Sequence, residues 1–153
     1  MITLPDPPLG SGHLLLRPWR LEDAPALVEA WSDEEIQRWT AVPAQTDLAY
    51  AERWIAGWEQ RRERDLSLDL VVDRGGEIVG EVGLSSLDRV AGTAEIGWWT
   101  APMHRGQGVA TAAVTVVVTW CRSTLGLDPI ARVDPGNPAS VAVARAAAAT
   151  LPV

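Results

Sequence analysis

The chain has 153 residues, of which 47% are hydrophobic and 22% are charged, and its net charge is −7. This length and composition are typical of one globular domain with a substantial core, and the acidic balance argues against nucleic acid as a general partner. No apolar run is long enough to span a membrane, and the first residues lack the features of a secretion signal. The single cysteine, Cys121, excludes an internal disulfide, so we expect a cytoplasmic protein. We also expect Cys121 to be a small buried hydrophobic residue.

The first half of the chain predicts a strand followed by helices. Residues 1–13 (MITLPDPPLGSGH) are typical of a loop, and residues 14–19 (LLLRPW) of a short strand. A helix is predicted over 22–31 from the spacing of its apolar residues, and Asp33 and Asp47 are suitable N-caps for two further helices. The tryptophans of this region are expected to pack in the core or to line a groove: Trp31, Trp54 and Trp58.

From residue 66 onward the pattern predicts an antiparallel meander. The strands read SLDLVVD, EIVGEVGLSSL and TAEIGWWTA, and the first two are joined by a hairpin turn at Gly75-Gly76. An apolar helix over about 108–124, a strand IARVD (130–134) and a last helix opened by Asn137 complete the chain. This order predicts a single mixed α/β domain over 1–153 with one central sheet.

The stretch MHRGQGVATAAV (103–114) places two glycines and an arginine where a helix begins. The first turn of a helix has unpaired N–H groups and the positive end of the helix dipole, and glycine lets a ligand approach the backbone closely. We therefore expect a phosphate-bearing ligand at a helix starting near Gly108, with ordinary turn glycines as the alternative. The stretch lacks the Lys-Ser/Thr pair of a P-loop and the third glycine of a dinucleotide-binding fingerprint.

The pattern Arg-x-x-Gly-x-Ala at 105–110 resembles the pyrophosphate loop of the GNAT family of acyl-CoA-dependent N-acyltransferases. AEIGWWTAPMHRGQGVATAAV is similar to the strand, loop and helix core of its branch of RimJ/RimL-like ribosomal-protein N-terminal acetyltransferases. LLLRPWRLEDAPALVEAWSDEEIQRW and ARVDPGNPAS resemble two further parts of that branch, so the resemblance runs from about 14 to 147. It implies an α/β GNAT fold, with a central, mostly antiparallel mixed sheet flanked by helices.

The resemblance also implies the cosubstrate and its binding residues. Acetyl-CoA would donate its acetyl group, without a metal, to a primary amine of a small molecule or peptide that attacks the thioester directly in a ternary complex. Asn137 matches the family asparagine that contacts pantetheine, with a plain helix cap as the alternative. Backbone groups of a splayed strand would pair with pantetheine: Trp98, Trp99 and Thr100. Backbone amides of the loop would hold the pyrophosphate: Arg105, Gly106, Gln107, Gly108, Val109 and Ala110.

Two carboxylates are candidates to accept the amine proton, Glu81 and Glu95, and each can equally be a solvated strand residue. Glu95 ranks first because it matches a glutamate common in the branch. Ser140 matches a serine proposed to serve the leaving thiolate, whereas the tyrosine of many other GNAT enzymes would fall at Ala144.

The two histidines, His13 and His104, are interpreted as surface residues.

The sequence departs from the family pattern at its C-terminal end. Two further strands normally follow the last helix, whereas this sequence ends in TLPV. Without these two strands, residues 130–134 would form an open sheet edge. We therefore expect a homodimer or larger assembly, in which either the edge near Arg132 lies in the interface or the last helix is exchanged between subunits. The same departure favours two alternatives to an enzyme: a CoA-binding module with little or no turnover, and a subunit used mainly for assembly.

Overall fold

The computed structural model describes residues 1–152 and contains a six-stranded sheet. The strands lie side by side in chain order, and each neighbouring pair is antiparallel except the last, which is parallel. The predicted mixed, mostly antiparallel sheet is therefore confirmed. The strands are β1 Gly10–Ser11, β2 Leu14–Pro18, β3 Ser67–Arg74, β4 Glu77–Asp88, β5 Thr93–Thr100 and β6 Asp128–Ile130.

The described residues form six α-helices. They lie where the sequence predicts helices, except that the single helix predicted to follow Asp47 is divided into two at Gly57. The helices that follow Asp33 and Asp47 begin there because the aspartate carboxylates accept hydrogen bonds from first-turn N–H groups, at 3.1 and 2.8 Å respectively. The helices are α1 Ala24–Trp31, α2 Glu34–Trp39, α3 Leu48–Ala56, α4 Trp58–Glu63, α5 Val109–Trp120 and α6 Pro138–Ala146.

The N-terminal segment is more ordered than the predicted loop. It contains the two-residue strand β1, and the side chain of Ile2 is fully buried. The Ile2 N–H donates to the Arg62 carbonyl at 3.0 Å, and the Arg62 guanidinium donates to the Ile2 carbonyl at 2.6 Å. These bonds attach the start of the chain to the end of α4.

The core lies between the sheet and the helices packed on it. The apolar face of α5, including Val114 and Val117, is buried against β4 and β5. Cys121 is fully buried at the end of this helix, and burial raises the pKa of its thiol to about 11. The prediction of a small buried residue at Cys121 is therefore confirmed. None of the helices in residues 1–152 is long and apolar enough to cross a bilayer.

The prediction of a strand at 130–134 with an open outer edge is wrong in both respects. The strand is Asp128–Ile130, and its pairing with β5 ends at Ile130. On its outer side, the Ala131 N–H donates to the Thr150 carbonyl at 2.8 Å. The Thr150 N–H donates in turn to the Pro129 carbonyl at 2.9 Å, which makes a parallel bridge on the outer side of β6. The edge that the sequence leaves bare is therefore partly covered by residue 150.

The sheet opens between β5 and β6. Pairing between these strands ends at Glu95, whereas β5 remains paired with β4 as far as Thr100. Within the described part of the chain, residues 96–100 consequently have one edge without a strand partner. This opening positions the candidate site.

Candidate active site

The loop before α5 forms a nest of free backbone N–H groups. Gly106 and Gly108 have φ angles of +73° and +76°, a left-handed conformation that glycine adopts without strain. The first bond of the helix runs from the Ala112 N–H to the Gly108 carbonyl at 3.1 Å, and within residues 1–152 no acceptor pairs with the N–H groups of 106–111. Such a nest at a helix N-terminus favours an anion.

A cavity of about 400 Å³ lies beside this loop. Its walls come from α2, the unpaired end of β5, the loop and the start of α6. It brings together most of the predicted cosubstrate-binding residues: Trp98, Trp99, Thr100, Arg105, Gly106, Gly108, Val109, Ala110 and Asn137.

Two of the predicted loop side chains make bonds within the protein. The Arg105 guanidinium donates to the Asp33 carboxylate at 2.5 Å and so links the loop to the N-terminus of α2. Although burial opposes it, this hydrogen bond holds the pKa of Asp33 below its usual range. The Gln107 side chain accepts from Arg74 at 3.1 Å and does not line the cavity.

His104 is not a surface residue. Its side chain is buried, Nδ1 lies 2.8 Å from an Arg74 nitrogen, and Nε2 lies 3.0 Å from the Glu77 carboxylate. The arginine has no acceptor capacity, so Nδ1 accepts and Nε2–H donates to Glu77. The imidazole thus fastens the loop to the β3–β4 hairpin. The other histidine, His13, is exposed as predicted.

A second cavity of about 570 Å³ continues from the first. Its walls are rich in aromatic rings and carboxylates, including Trp31, Trp54, Glu81 and Glu95. The two cavities meet where the sheet opens. The residues that line both cavities are Trp39, Thr40, Trp98, Trp99, Asn137 and Ser140.

Glu81 is held between two indole rings in the second cavity. One carboxylate oxygen accepts from Trp19 Nε1 at 2.7 Å, and the other accepts from Trp99 Nε1 at 3.1 Å. Burial, and next the charge of Asp69, raise the pKa of Glu81 to about 8 against the opposing effect of the indole donors. A carboxyl group with such a pKa is suited to exchanging protons near neutral pH.

Further charged and aromatic groups surround this glutamate, and sequence reasoning missed them. Burial raises the pKa of Asp69, which also lines the cavity. Arg61 lies 4.5 Å above the ring of Trp54, and its Nε and Nη2 are buried without a hydrogen-bond partner among the described residues. Strand alternation places Asp69 on the face of Glu81, but no sequence signal connects Arg61 or Trp19 with it.

Glu95 lies at the outer end of the same cavity. Its carboxylate accepts from Arg132 Nε at 2.7 Å, and the glutamate side chain is 39% exposed. The structure therefore brings both candidate carboxylates into one cavity and gives them different surroundings: Glu81 is held by neutral donors, and Glu95 is paired with a cation.

Comparison of the sequence with known protein families agrees with the chemistry of this site. The family model described as an acetyltransferase (GNAT) domain matches residues 13–150. The chain belongs to the GNAT acetyltransferase family. Membership confirms the predicted class of acetyl-CoA-dependent N-acetyltransferase.

Several named proteins are similar to this GNAT chain. The uncharacterized N-acetyltransferase p20 of Bacillus licheniformis is 32% identical over 141 residues, covering 87% of this chain and 76% of that protein. A Bacillus subtilis (strain 168) protein provisionally named ribosomal N-acetyltransferase YdaF is 30% identical over 125 residues, covering 78% and 67%. The structure of Mycobacterium smegmatis RimJ in complex with CoA-disulfide has a TM-score of 0.77 and 26% identity, covering 86% of this chain and 68% of that one.

Asn137 and Ser140 lie at the junction of the two cavities of this GNAT domain. The Asn137 side chain caps α6 by accepting from the Ser140 N–H at 3.3 Å, and its Nδ2 donates to Ser140 Oγ at 3.0 Å. Asn137 is therefore a helix cap that also faces the cavities. Because Ser140 Oγ accepts that bond, its own proton is free to be donated elsewhere. Ala144, where other GNAT enzymes have a tyrosine, is fully buried.

Proposed function

We propose that the chain transfers the acetyl group of acetyl-CoA to a primary amine by direct attack within a ternary complex. The observation that carries this proposal is the meeting of two cavities at the unpaired edge of β5. One cavity ends in free backbone N–H groups, and the other contains Glu81. This arrangement suits two substrates that enter from different sides and react where they meet.

On the donor side, the N–H groups of 106–111 bind the pyrophosphate of CoA, since they form an unpaired nest at a helix N-terminus. The pantetheine arm pairs with the free edge of Trp98, Trp99 and Thr100, as an added strand would. A backbone N–H of this edge then lies beside the thioester carbonyl and stabilises its oxyanion.

On the acceptor side, Glu81 takes the amine proton in preference to Glu95. Its pKa of about 8 is close to neutral pH, and the two indoles fix its carboxylate in the cavity. Glu95 is engaged by the Arg132 cation, which favours a role in shaping the outer end of the cavity. The sequence-based ranking of the two carboxylates is thereby reversed in this proposal.

The reaction joins the acceptor nitrogen to the acetyl carbon and releases CoA as its thiol. The acceptor ammonium first loses one proton through Glu81 to solvent. Its neutral nitrogen then bonds to the thioester carbon while Glu81 removes a second proton, which it also releases to solvent. The carbon–sulfur bond breaks, the amide forms, and the CoA thiolate takes a proton from the Ser140 hydroxyl, which regains one from solvent. The Asn137 amide orients this serine for the step.

The acceptor is an amine of a peptide or of a small molecule. The name of one relative, a ribosomal N-acetyltransferase, supports a peptide or protein amine. The carboxylates and aromatic rings of the second cavity suit an amine that arrives as a cation.

A screen of amines with acetyl-CoA, which follows thiol release and confirms the product by mass, tests the proposal. We expect acetylation of at least one peptide or small amine. Binding of CoA without product on any amine would instead favour a binding module, and failure to bind CoA would favour an assembly role.

A further inference from the structure

The floor of the acceptor cavity contains a pair of glycines that face each other across two strands. Gly83 of β4 and Gly97 of β5 are directly paired, and both line the cavity. They lie between the pair Glu81–Trp99 at the inner end and the pair Ser85–Glu95 at the outer end.

Packing explains the two glycines of β4 but not the glycine of β5. A Cβ atom at Gly80 would lie 2.6 Å from the Trp99 carbonyl oxygen, and one at Gly83 would lie 2.7 Å from the Asp69 carboxylate. A Cβ atom at Gly97 would meet nothing within 4 Å, and its φ is not in the left-handed region.

Gly97 therefore weakens the strand without a reason in the fold. Glycine in a strand interior loses conformational entropy and packs no side chain. The β4–β5 register is regular at this residue, since its only shift is between Ser85 and Asp88. The remaining reason for a glycine in a strand is the close approach of another molecule.

We infer that Gly97 is a specificity-determining residue, because the chain that carries the reacting amine crosses the sheet directly above it. This inference rests on the proposed function and adds the path of the acceptor. The reacting end lies beside Glu81, and the body of the acceptor runs over Gly97, beside the Asp69 carboxylate that covers Gly83, toward Glu95 and Arg132. Trp99 and Glu95 are four positions apart in the strand, about 13 Å at 3.3 Å per residue, so the acceptor that fills this path is an extended chain that is narrow where it passes Gly97.

A Gly97→Val variant tests the path. Kinetics are measured with acetyl-CoA and two probes, an amidated trialanine peptide as an extended acceptor and ethylamine as a short one. We expect kcat/KM for the peptide to fall at least about tenfold, kcat/KM for ethylamine to change less than about threefold, and Gly97→Ala to give an intermediate loss. CoA affinity should be unchanged, and the melting temperature should not fall because valine favours a strand.

Thr93→Val is the matched control, since it introduces valine in the same strand and on the same face but outside the cavity. It should leave both acceptors unaffected. An unchanged peptide reaction in Gly97→Val, an equal loss for both acceptors, or a loss of melting temperature together with CoA affinity would overturn the inference. So would a wild-type chain that acetylates ethylamine but not the peptide. If the wild-type chain acetylates no amine, the proposed function itself fails.

Discussion

At the scale of single residues, the site depends on how Glu81 is held. Its carboxylate receives one indole N–H on each oxygen, from Trp19 and Trp99. Both donors stabilise the charged form, and burial and Asp69 oppose them, so the balance leaves the pKa near neutral. Removal of one donor should therefore change the pH at which the site becomes active.

We predict that Trp19→Phe shifts the pH dependence of acetyl transfer. The loss of this N–H donor raises the pKa of Glu81, so the acidic limb of the kcat/KM profile should move to higher pH than in the wild type, where it lies near pH 8. Trp58→Phe is the control, since its indole donates at 2.7 Å to the Asp69 carbonyl and not to Glu81. A shift of equal size in both variants would contradict the role assigned to Trp19.

The same glutamate gives the unfolding free energy a pH dependence of known sign. Its pKa is about 4.5 in the unfolded chain and about 8 in the folded one, so between these values the folded state binds the proton more tightly. The stability of the wild type should therefore decrease as pH rises from 4.5 to 8, relative to Glu81→Gln, which has no such proton. Urea unfolding of both chains across this interval measures the difference. A wild type that gains stability relative to Glu81→Gln would contradict the raised pKa.

At the scale of elements, the loop before α5 is the part that the sequence predicted best. Two glycines before an apolar run indicate an anion-binding turn from local information alone, and both have the left-handed conformation that this turn requires. The caps of α2 and α3 are local features too, and they lie where Asp33 and Asp47 predict them. What the sequence did not predict depends on distant residues: Trp19 is 62 positions from Glu81, and Thr150 covers β6 from beyond α6.

We predict that Gly108→Asn weakens CoA binding at least about tenfold, which is roughly 1.4 kcal/mol. Asparagine tolerates the left-handed φ of +76° better than a β-branched residue does, so the loop should keep its shape while the added side chain obstructs the pyrophosphate. Calorimetry with CoA gives the affinity, and thermal unfolding shows whether the fold is retained. Gly126→Asn, at a left-handed glycine remote from the cavity, should leave the affinity as it is. Equal CoA affinities in the wild type and Gly108→Asn would show that the loop does not bind the pyrophosphate.

At the scale of the whole molecule, the mixed sheet and the meander of its three long strands follow from patterns of apolar residues, whereas association does not. The homodimer remains a prediction, because among residues 1–152 a single bridge, Ile130 to Thr150, covers the outer side of β6. Sedimentation at micromolar concentration should give twice the chain mass. A monomer at that concentration would show that Thr150 is sufficient cover.

The central claim is that Glu81 accepts the amine proton at the junction of the two cavities. The most direct test is single-turnover acetyl transfer, measured near pH 8 with saturating acetyl-CoA, in the wild type, Glu81→Gln and Glu95→Gln. We predict that Glu81→Gln lowers the rate of the chemical step by about a hundredfold or more without loss of CoA affinity, and that Glu95→Gln lowers it by less than about tenfold. A full rate in Glu81→Gln together with a hundredfold loss in Glu95→Gln would contradict the claim and assign the proton to the other carboxylate.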